Sequence, residues 1–241
     1  MKSNIIFDNI FSVKKYSYAT LNIGIWQSEK ETILQYCNQN DPIIDIGCGA
    51  GRVAIALGEL SFKNIWAIDH NEAMIKEAIK ISPRKYNIQY RIEDVVNISG
   101  DIPIGYFKCA IFSHNGFTSI IGQEKRKKAL DNILKLLQPN GIFIFTTLEI
   151  PTSKNSPFFE FWRKRSKIMS VTDDKFGDII VMDDGYPILN HFTTFDEIYK
   201  LVYSDWFCID SFIRDDTFHE SMNCRLHTNN CRFFILQKRC D

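Results

Sequence analysis

The sequence predicts an α/β fold in which a largely parallel sheet is covered by helices on both faces. From residue 28 onward, short apolar segments alternate with amphipathic segments of helical period. The segment PIIDI is short, apolar and does not alternate between apolar and polar residues, as is typical of strands that are buried on both faces. This segment, residues 42–46, runs directly into a turn that carries glycine at positions 47, 49 and 51.

Length and composition indicate one soluble globular protein. The chain has 241 residues, of which 45% are hydrophobic and 24% charged, and its formal net charge is zero. No global field attracts nucleic acid or a membrane surface, and no apolar run is long enough to span a bilayer. The seven cysteines contain no C-x-x-C pair, and the first residues lack the apolar core of a signal peptide. These features predict a cytoplasmic protein with free thiols.

The alternating segments predict the elements in order. Helices are expected at residues 28–37, 51–60, 71–81, 123–138 and 195–204, and strands at 42–46, 64–69, 87–92, 107–112, 142–147, 206–214 and 231–238. Capping boxes are predicted at Ser28 with Glu31 and at Thr194 with Glu197.

Residues 151–192 break the alternation. Residues 151–169 predict an aromatic and basic helix, and the following segment predicts a hairpin that turns at residues 183–185. An insertion after the fifth strand lies at the carboxyl edge of the sheet, where such folds bind ligands. We therefore expect a lid within a single domain of residues 1–241, together with an N-terminal cap segment at 1–40.

The glycine turn predicts a nucleoside-binding site. A strand, the turn and a helix are followed by a second strand that ends at Asp69, where a carboxylate can accept both ribose hydroxyls. A dinucleotide-binding fingerprint, G-x-G-x-x-G, requires its third glycine at position 52, where this chain has Arg52. No G-K-[ST] follows the glycines, which excludes a P-loop.

The segment DIGCGAGR, residues 45–52, resembles the first motif of the class I S-adenosylmethionine (AdoMet)-dependent methyltransferases, an acidic residue followed by G-x-G-x-G. The resemblance covers most of residues 20–149 and includes the segment LLQPNGIFIFTT. It implies a Rossmann-like α/β class I methyltransferase fold, with a mixed seven-stranded sheet, helices on both faces and a lid insertion after strand five. Asp205 and Trp206 depart from the Gly-Phe that often precedes the sixth strand of the family.

The resemblance also implies a set of cofactor contacts. Asp69 falls at the position of the ribose-binding acid, and Asp94 at that of the acid that contacts the adenine amino group. The full implied set is Trp26, Asp45, Gly47, Cys48, Gly49, Gly51, Asp69, His70, Asp94, Val95 and Ser113.

The expected function is methyl transfer from AdoMet to an oxygen or nitrogen of a small molecule, without a metal. His114 and His191 are the candidate bases, with an ordinary histidine pKa of about 6.5, although either could be a structural histidine. Candidate acceptor contacts are Asn115, Phe117, Glu149 and Trp162. Three alternatives stay open: an RNA methyltransferase, a protein methyltransferase, and a non-catalytic AdoMet-binding partner protein. Signatures of nucleic-acid methylation are missing, and the sequence leaves monomer or homodimer open.

Overall fold

The computed structural model describes residues 10–150, 177–183 and 186–240. Seven strands form one sheet in the order β3-β2-β1-β4-β5-β9-β8. Neighbours among β1 to β5 are parallel, whereas β9 is antiparallel to both β5 and β8. The strands are β1 (Pro42–Ile46), β2 (Asn64–Asp69), β3 (Gln89–Ile92), β4 (Phe107–Phe112), β5 (Leu137–Thr147), β8 (Trp206–Ile213) and β9 (Arg232–Lys238). The predicted mixed seven-stranded sheet is confirmed.

Helices cover the sheet, and each face has its own apolar core. Ile43 and Ile44 are successive residues of β1 on opposite faces, and both are completely buried, each within a different core cluster. The helices are α1 (Ile10–Asn22), α2 (Gln27–Tyr36), α3 (Arg52–Glu59), α4 (Glu72–Ile81), α5 (Gln123–Leu136), α6 (Phe195–Val202), α7 (Arg214–Thr217) and α8 (Met222–His227). No described helix is long and apolar enough to cross a membrane.

Two helix starts differ from the sequence prediction. Helix α2 begins one residue earlier than expected, and Glu29 rather than Glu31 accepts the preceding backbone N–H, that of Trp26, at 2.9 Å. At α6 the Thr194 hydroxyl accepts the Glu197 N–H at 3.1 Å as predicted. The Glu197 carboxylate does not complete the box, because it binds other side chains.

The insertion after β5 contains the predicted hairpin. Strands β6 (Asp178–Asp183) and β7 (Tyr186–His191) pair antiparallel, with Asp183 opposite Tyr186. The helix predicted at 151–169, with Trp162, and turn residues 184 and 185 lie outside the described residues. The division into one domain with a cap and a lid stays a prediction.

Candidate active site

A large cleft opens at the carboxyl edge of the parallel strands. Its volume is about 1390 Å³, and it is lined by the ends of β1 to β4 together with residues of α1, β7 and α8. Pockets for one small ligand typically measure about 300–1,000 Å³. The cleft therefore has room for two ligands side by side.

The glycine turn forms the floor of this cleft. Gly47 and Gly49 line it, and a Cβ on Gly47 would lie 2.7 Å from the Phe112 ring. Gly51 does not line the cleft; it has φ +87°, and a Cβ there would lie 2.7 Å from the Tyr90 hydroxyl. The missing side chain of Gly51 makes room for Tyr90, and its predicted role as a cofactor contact stays a prediction.

The carboxylate of Asp69 is fixed at the tip of β2. Its Oδ2 accepts the Gly49 N–H at 2.9 Å, and its Oδ1 accepts the Asn71 N–H at 2.8 Å. Asp69 is only 8% exposed, yet it lines the cleft, as does the neighbouring His70. The two backbone bonds hold one acidic group at the cleft wall and tie it to the glycine turn.

The loop after β3 brings the next predicted residues to the same cleft. Asp94 and Val95 both line it, and the Asp94 carboxylate accepts the Val96 N–H at 2.9 Å and the Asn97 side-chain amide at 2.8 Å. Asp69 and Asp94 therefore stand at the ends of adjacent parallel strands, as the sequence prediction requires.

Asp45 lies beneath the turn and has an unfilled hydrogen-bonding position. Its Oδ2 is buried without a partner, beside a cavity of about 30 Å³ that Arg52, Ser113 and His114 also line. Burial raises the pKa of Asp45 to about 8, although nearby Arg52 opposes the rise. A polar group of a bound ligand would supply the missing partner of Asp45. The polar side chains around this cavity therefore fit a cofactor with a polar tail. Cys48 lines the same small cavity, and burial raises the pKa of its thiol.

Behind this cavity lies a buried ion pair that the sequence analysis missed. The Arg52 guanidinium binds Glu29 through two hydrogen bonds of 2.6 Å, and the Ser113 hydroxyl donates to the same carboxylate. Ser113 also lines the cleft, as predicted for a cofactor contact. Arg52 directly follows the glycine motif, and that position was the only sequence signal available.

Trp26, a predicted cofactor contact, is not among the residues that line the cleft, and its role in cofactor binding stays a prediction. It is 1% exposed, with the Arg52 guanidinium 4.7 Å and the Arg214 guanidinium 5.2 Å from its ring. Its ring meets that of His114 edge-on at 5.4 Å. Trp26 thus supports the β4 tip from behind.

His114 and Asn115 form the tip of β4 and both line the cleft. Both have left-handed backbone conformations, with φ of 51° and 58°. Such strain in non-glycine residues is concentrated at functional sites. The His114 ring stacks on His227 at 5.5 Å. Burial, with Arg52 and other nearby cations, lowers the pKa of His114 well below 6.5, so the ring is neutral near pH 7.

Asn115 is 8% exposed, and its side-chain amide makes no hydrogen bond within the described residues. Its backbone N–H donates to the Thr146 hydroxyl at 2.7 Å, which fixes the turn. A buried polar group left without a partner costs about 1–3 kcal/mol. The position is therefore suited to a group that arrives with a ligand.

His191, the second candidate base, is held in an ionic cluster and does not line the cleft. It is 2% exposed, and its Nδ1 and Nε2 lie 2.6 Å and 2.8 Å from carboxylate oxygens of Asp178 and Glu197. Arg126 binds Glu197 as well, at 3.1 Å. Both ring nitrogens are engaged, so the geometry leaves none to take a proton from an acceptor.

Two of the predicted acceptor contacts are also elsewhere. Phe117 is completely buried against Phe112 and Phe145 in the core. Glu149 forms a two-bond ion pair with Arg232, at 2.8 and 3.2 Å, outside the cleft lining. Both predictions placed these residues correctly near strand ends but could not determine which way the side chains face.

Two further segments line the cleft: residues 225–229, at and after the end of α8, and Lys14, Lys15 and Tyr16 of α1. The sequence analysis included residues 14–16 in the expected cap segment at 1–40 without naming them as site residues, and it missed residues 225–229. Neither carries a motif, because they meet the cleft only through the tertiary fold.

A sequence model of the methyltransferase domain matches residues 43–141. EEF1A lysine methyltransferase 2 of Danio rerio is 27% identical over 118 residues, which are 47% of this chain and 50% of that protein. The ribosomal protein L11 methyltransferase of Thermosipho melanesiensis is 25% identical over 114 residues, 46% of this chain and 40% of that protein. The chain thus matches half or less of the length of these curated relatives.

Among solved structures, a SAM-dependent methyltransferase of Methanosarcina mazei superposes with a TM-score of 0.70 at 18% identity. The match covers 87% of this chain and 98% of that one. Residues 43–141 thus match a methyltransferase domain, and the strand order and this superposition give the chain the fold of SAM-dependent methyltransferases of known structure.

Proposed function

We propose that this protein transfers a methyl group from AdoMet to an oxygen or nitrogen of a small molecule. The observation that carries the proposal is the cleft of about 1390 Å³, with a fixed carboxylate at the end of β2 and a second one after β3. Its size suits a cofactor and a small acceptor together.

In this proposal Asp69 binds the ribose hydroxyls and Asp94 and Val95 bind the adenine. Asp45, Ser113 and the turn around Gly47 and Gly49 hold the polar tail. When bound, AdoMet supplies an activated methyl group on a sulfonium ion.

The remaining work of the protein is to hold the acceptor in line and to keep water out. Asn115 and the α8 segment orient the acceptor, and the β7 strand, through Ile188 and Asn190, covers it. His114, neutral near pH 7 and at the β4 tip, takes the proton that the acceptor loses.

A protein acceptor is the second candidate, because both curated relatives are named for protein substrates. Residues of α1, β7 and α8 line the cleft around the β4 tip. A protein methyltransferase needs a path by which a side chain of a folded partner reaches the β4 tip.

The test has two stages. Titration calorimetry should detect AdoMet binding to the wild-type chain and to Asp101→Ala, a control that removes an exposed carboxylate outside the cleft. Asp69→Ala should bind at least about tenfold more weakly, because a charge-assisted bond contributes about 1.5–3 kcal/mol.

The second stage incubates the protein and AdoMet with separated small-molecule and protein fractions of a cell extract. Mass spectrometry should find a new methyl group in the small-molecule fraction. A methylated protein alone would favour the second candidate. Tight AdoMet binding with no methylated product in either fraction would favour a non-catalytic partner protein.

A further inference from the structure

The described carboxylates that line the cleft all lie on one side of it. The three described carboxylates of the lining, Asp69, Glu93 and Asp94, all follow β2 or β3. In the sheet order these strands lie on one side of β1, and β4 and β5 lie on the other. The acidic side chains are therefore confined to the half of the cleft that we assign to the nucleoside.

The opposite half carries cations. Arg225 lines it from α8, whose His227 stacks on His114, and Lys125 lines it from α5, the helix between β4 and β5. Within the described residues, the lining of this half contains no carboxylate. The Arg225 guanidinium is exposed and has no hydrogen bond or ion pair with the described part of the protein. It is thus available to a ligand.

Asn115 lines the same half from the β4 tip, and its buried Oδ1 accepts no hydrogen bond within the described residues. The Nδ2 of the same amide can donate to an oxygen of a carboxylate or phosphate, while Oδ1 can accept from a hydroxyl or N–H of the same ligand. The electrostatic potential at the neighbouring His114 is also positive, because Arg52, Lys15 and Arg214 all contribute to lowering the pKa of its imidazole.

Apolar side chains complete the wall. Leu148, Ile188 and Leu226 line the cleft from β5, β7 and α8. The far half therefore combines an apolar surface with a guanidinium and a buried amide, a combination that suits an organic molecule with one charged end.

We propose that the methyl acceptor is a small organic anion, with a carboxylate or phosphate group bound by Arg225 and the Asn115 amide. The inference rests on the proposed function, since it names the substrate class of that site. Arg225 is the counter-ion, and its planar guanidinium matches either group through two parallel hydrogen bonds.

The experiment uses the full chain saturated with S-adenosylhomocysteine, whose binding is measured first. Benzoate and phenyl phosphate then serve as anionic probes, with benzamide as the neutral and benzylamine as the cationic counterpart. Equilibrium titration followed by NMR should show that at least one anion binds, and that it binds at least about tenfold more tightly than the neutral and cationic probes.

Variants distinguish anion binding in the cleft from anion binding to surface charges elsewhere on the protein. Arg225→Gln should lower the affinity for the anionic probe by about tenfold. Arg84→Gln removes an equally exposed arginine outside the cleft and should leave its affinity unchanged. Asn115→Asp keeps the size and the left-handed preference of the residue, and should abolish anion binding and improve that of benzylamine.

Failure of S-adenosylhomocysteine to bind would refute the proposed function itself. If the cofactor product binds, three results would overturn only the anion proposal. These are no detectable binding of either anion, equal or tighter binding of benzamide or benzylamine, and an unchanged anion affinity in Arg225→Gln.

Discussion

The buried ion pair between Glu29 and Arg52 should be one of the strongest single determinants of stability in this protein. Both side chains are nearly inaccessible, at 2% and 9% exposure, and the two hydrogen bonds between them measure 2.6 Å each. Removing one partner leaves an uncompensated charge, which typically costs about 3–5 kcal/mol. Since domains are stable by about 5–15 kcal/mol, either single change removes a large share of the total.

The informative variants are Arg52→Met, Glu29→Gln and their combination. The double variant loses the hydrogen bonds but leaves no buried charge, so it should be more stable than the sum of the single effects by at least about 2 kcal/mol. Arg52→Lys, which keeps the charge but not the two-bond geometry, should lie between wild type and Arg52→Met. It stays measurable if a harsher variant fails to fold.

Urea denaturation followed by circular dichroism and tryptophan fluorescence measures each free energy of unfolding. The exposed pair of Glu72 and Lys76, 2.7 Å apart on α4, is the control, and its variants should show no measurable coupling. Additive effects of the Glu29 and Arg52 changes, within about 0.5 kcal/mol, would refute the reasoning.

Three further predictions follow from the site. Asp69→Ala should weaken the binding of AdoMet and also loosen the glycine turn, because the Gly49 N–H loses its acceptor. Amide hydrogen exchange at residues 47–51 should become faster, and unchanged exchange would contradict the prediction. His114→Ala should lower kcat at least about 100-fold with little change in AdoMet affinity. The pKa of His114 is depressed, so wild-type kcat should stay level near neutral pH and fall only in acid. An inflection of the wild-type profile at about pH 6.5 that is absent in His114→Ala would contradict this prediction. His191→Gln should lower the thermal midpoint at pH 7 more than at pH 3.5. Burial alone would raise the pKa of Glu197, but His191 and Arg126 hold that pKa below its usual value. The stability that this cluster contributes is therefore present above the ordinary glutamate pKa and is lost as pH falls through the lowered pKa. Equal losses at both pH values would count against the cluster.

The sequence predicted the sheet well, because hydrophobic periodicity reports burial directly. The predominantly apolar runs at β1 and β4 correspond to strands with completely buried residues, and the acidic tip of β2 was located from the glycine motif. Local chemistry is enough to fix such elements, since each is decided within a few residues.

Side-chain direction at strand ends was harder to predict. Phe117 and Glu149 lie close to the predicted edge, but one faces the core and the other binds Arg232. His191 was assigned as a base because it ends the lid hairpin, and nothing in the sequence signalled that Asp178 and Glu197 would hold both ring nitrogens. Such partners are distant along the chain, so only the tertiary fold specifies them.

The position of Trp26 between Arg52 and Arg214 has a consequence for how the protein reaches its native state. The Glu220 carboxylate accepts the backbone N–H groups of Gln27 and Ser28, so the start of α2 is completed by the last quarter of the chain. Closing such long loops is entropically expensive and slows folding. A polypeptide emerging from the ribosome therefore lacks the support behind the β4 tip until its C-terminal strands are made. The same contacts mean that residues 43–141, excised alone, would carry the glycine turn but not its support.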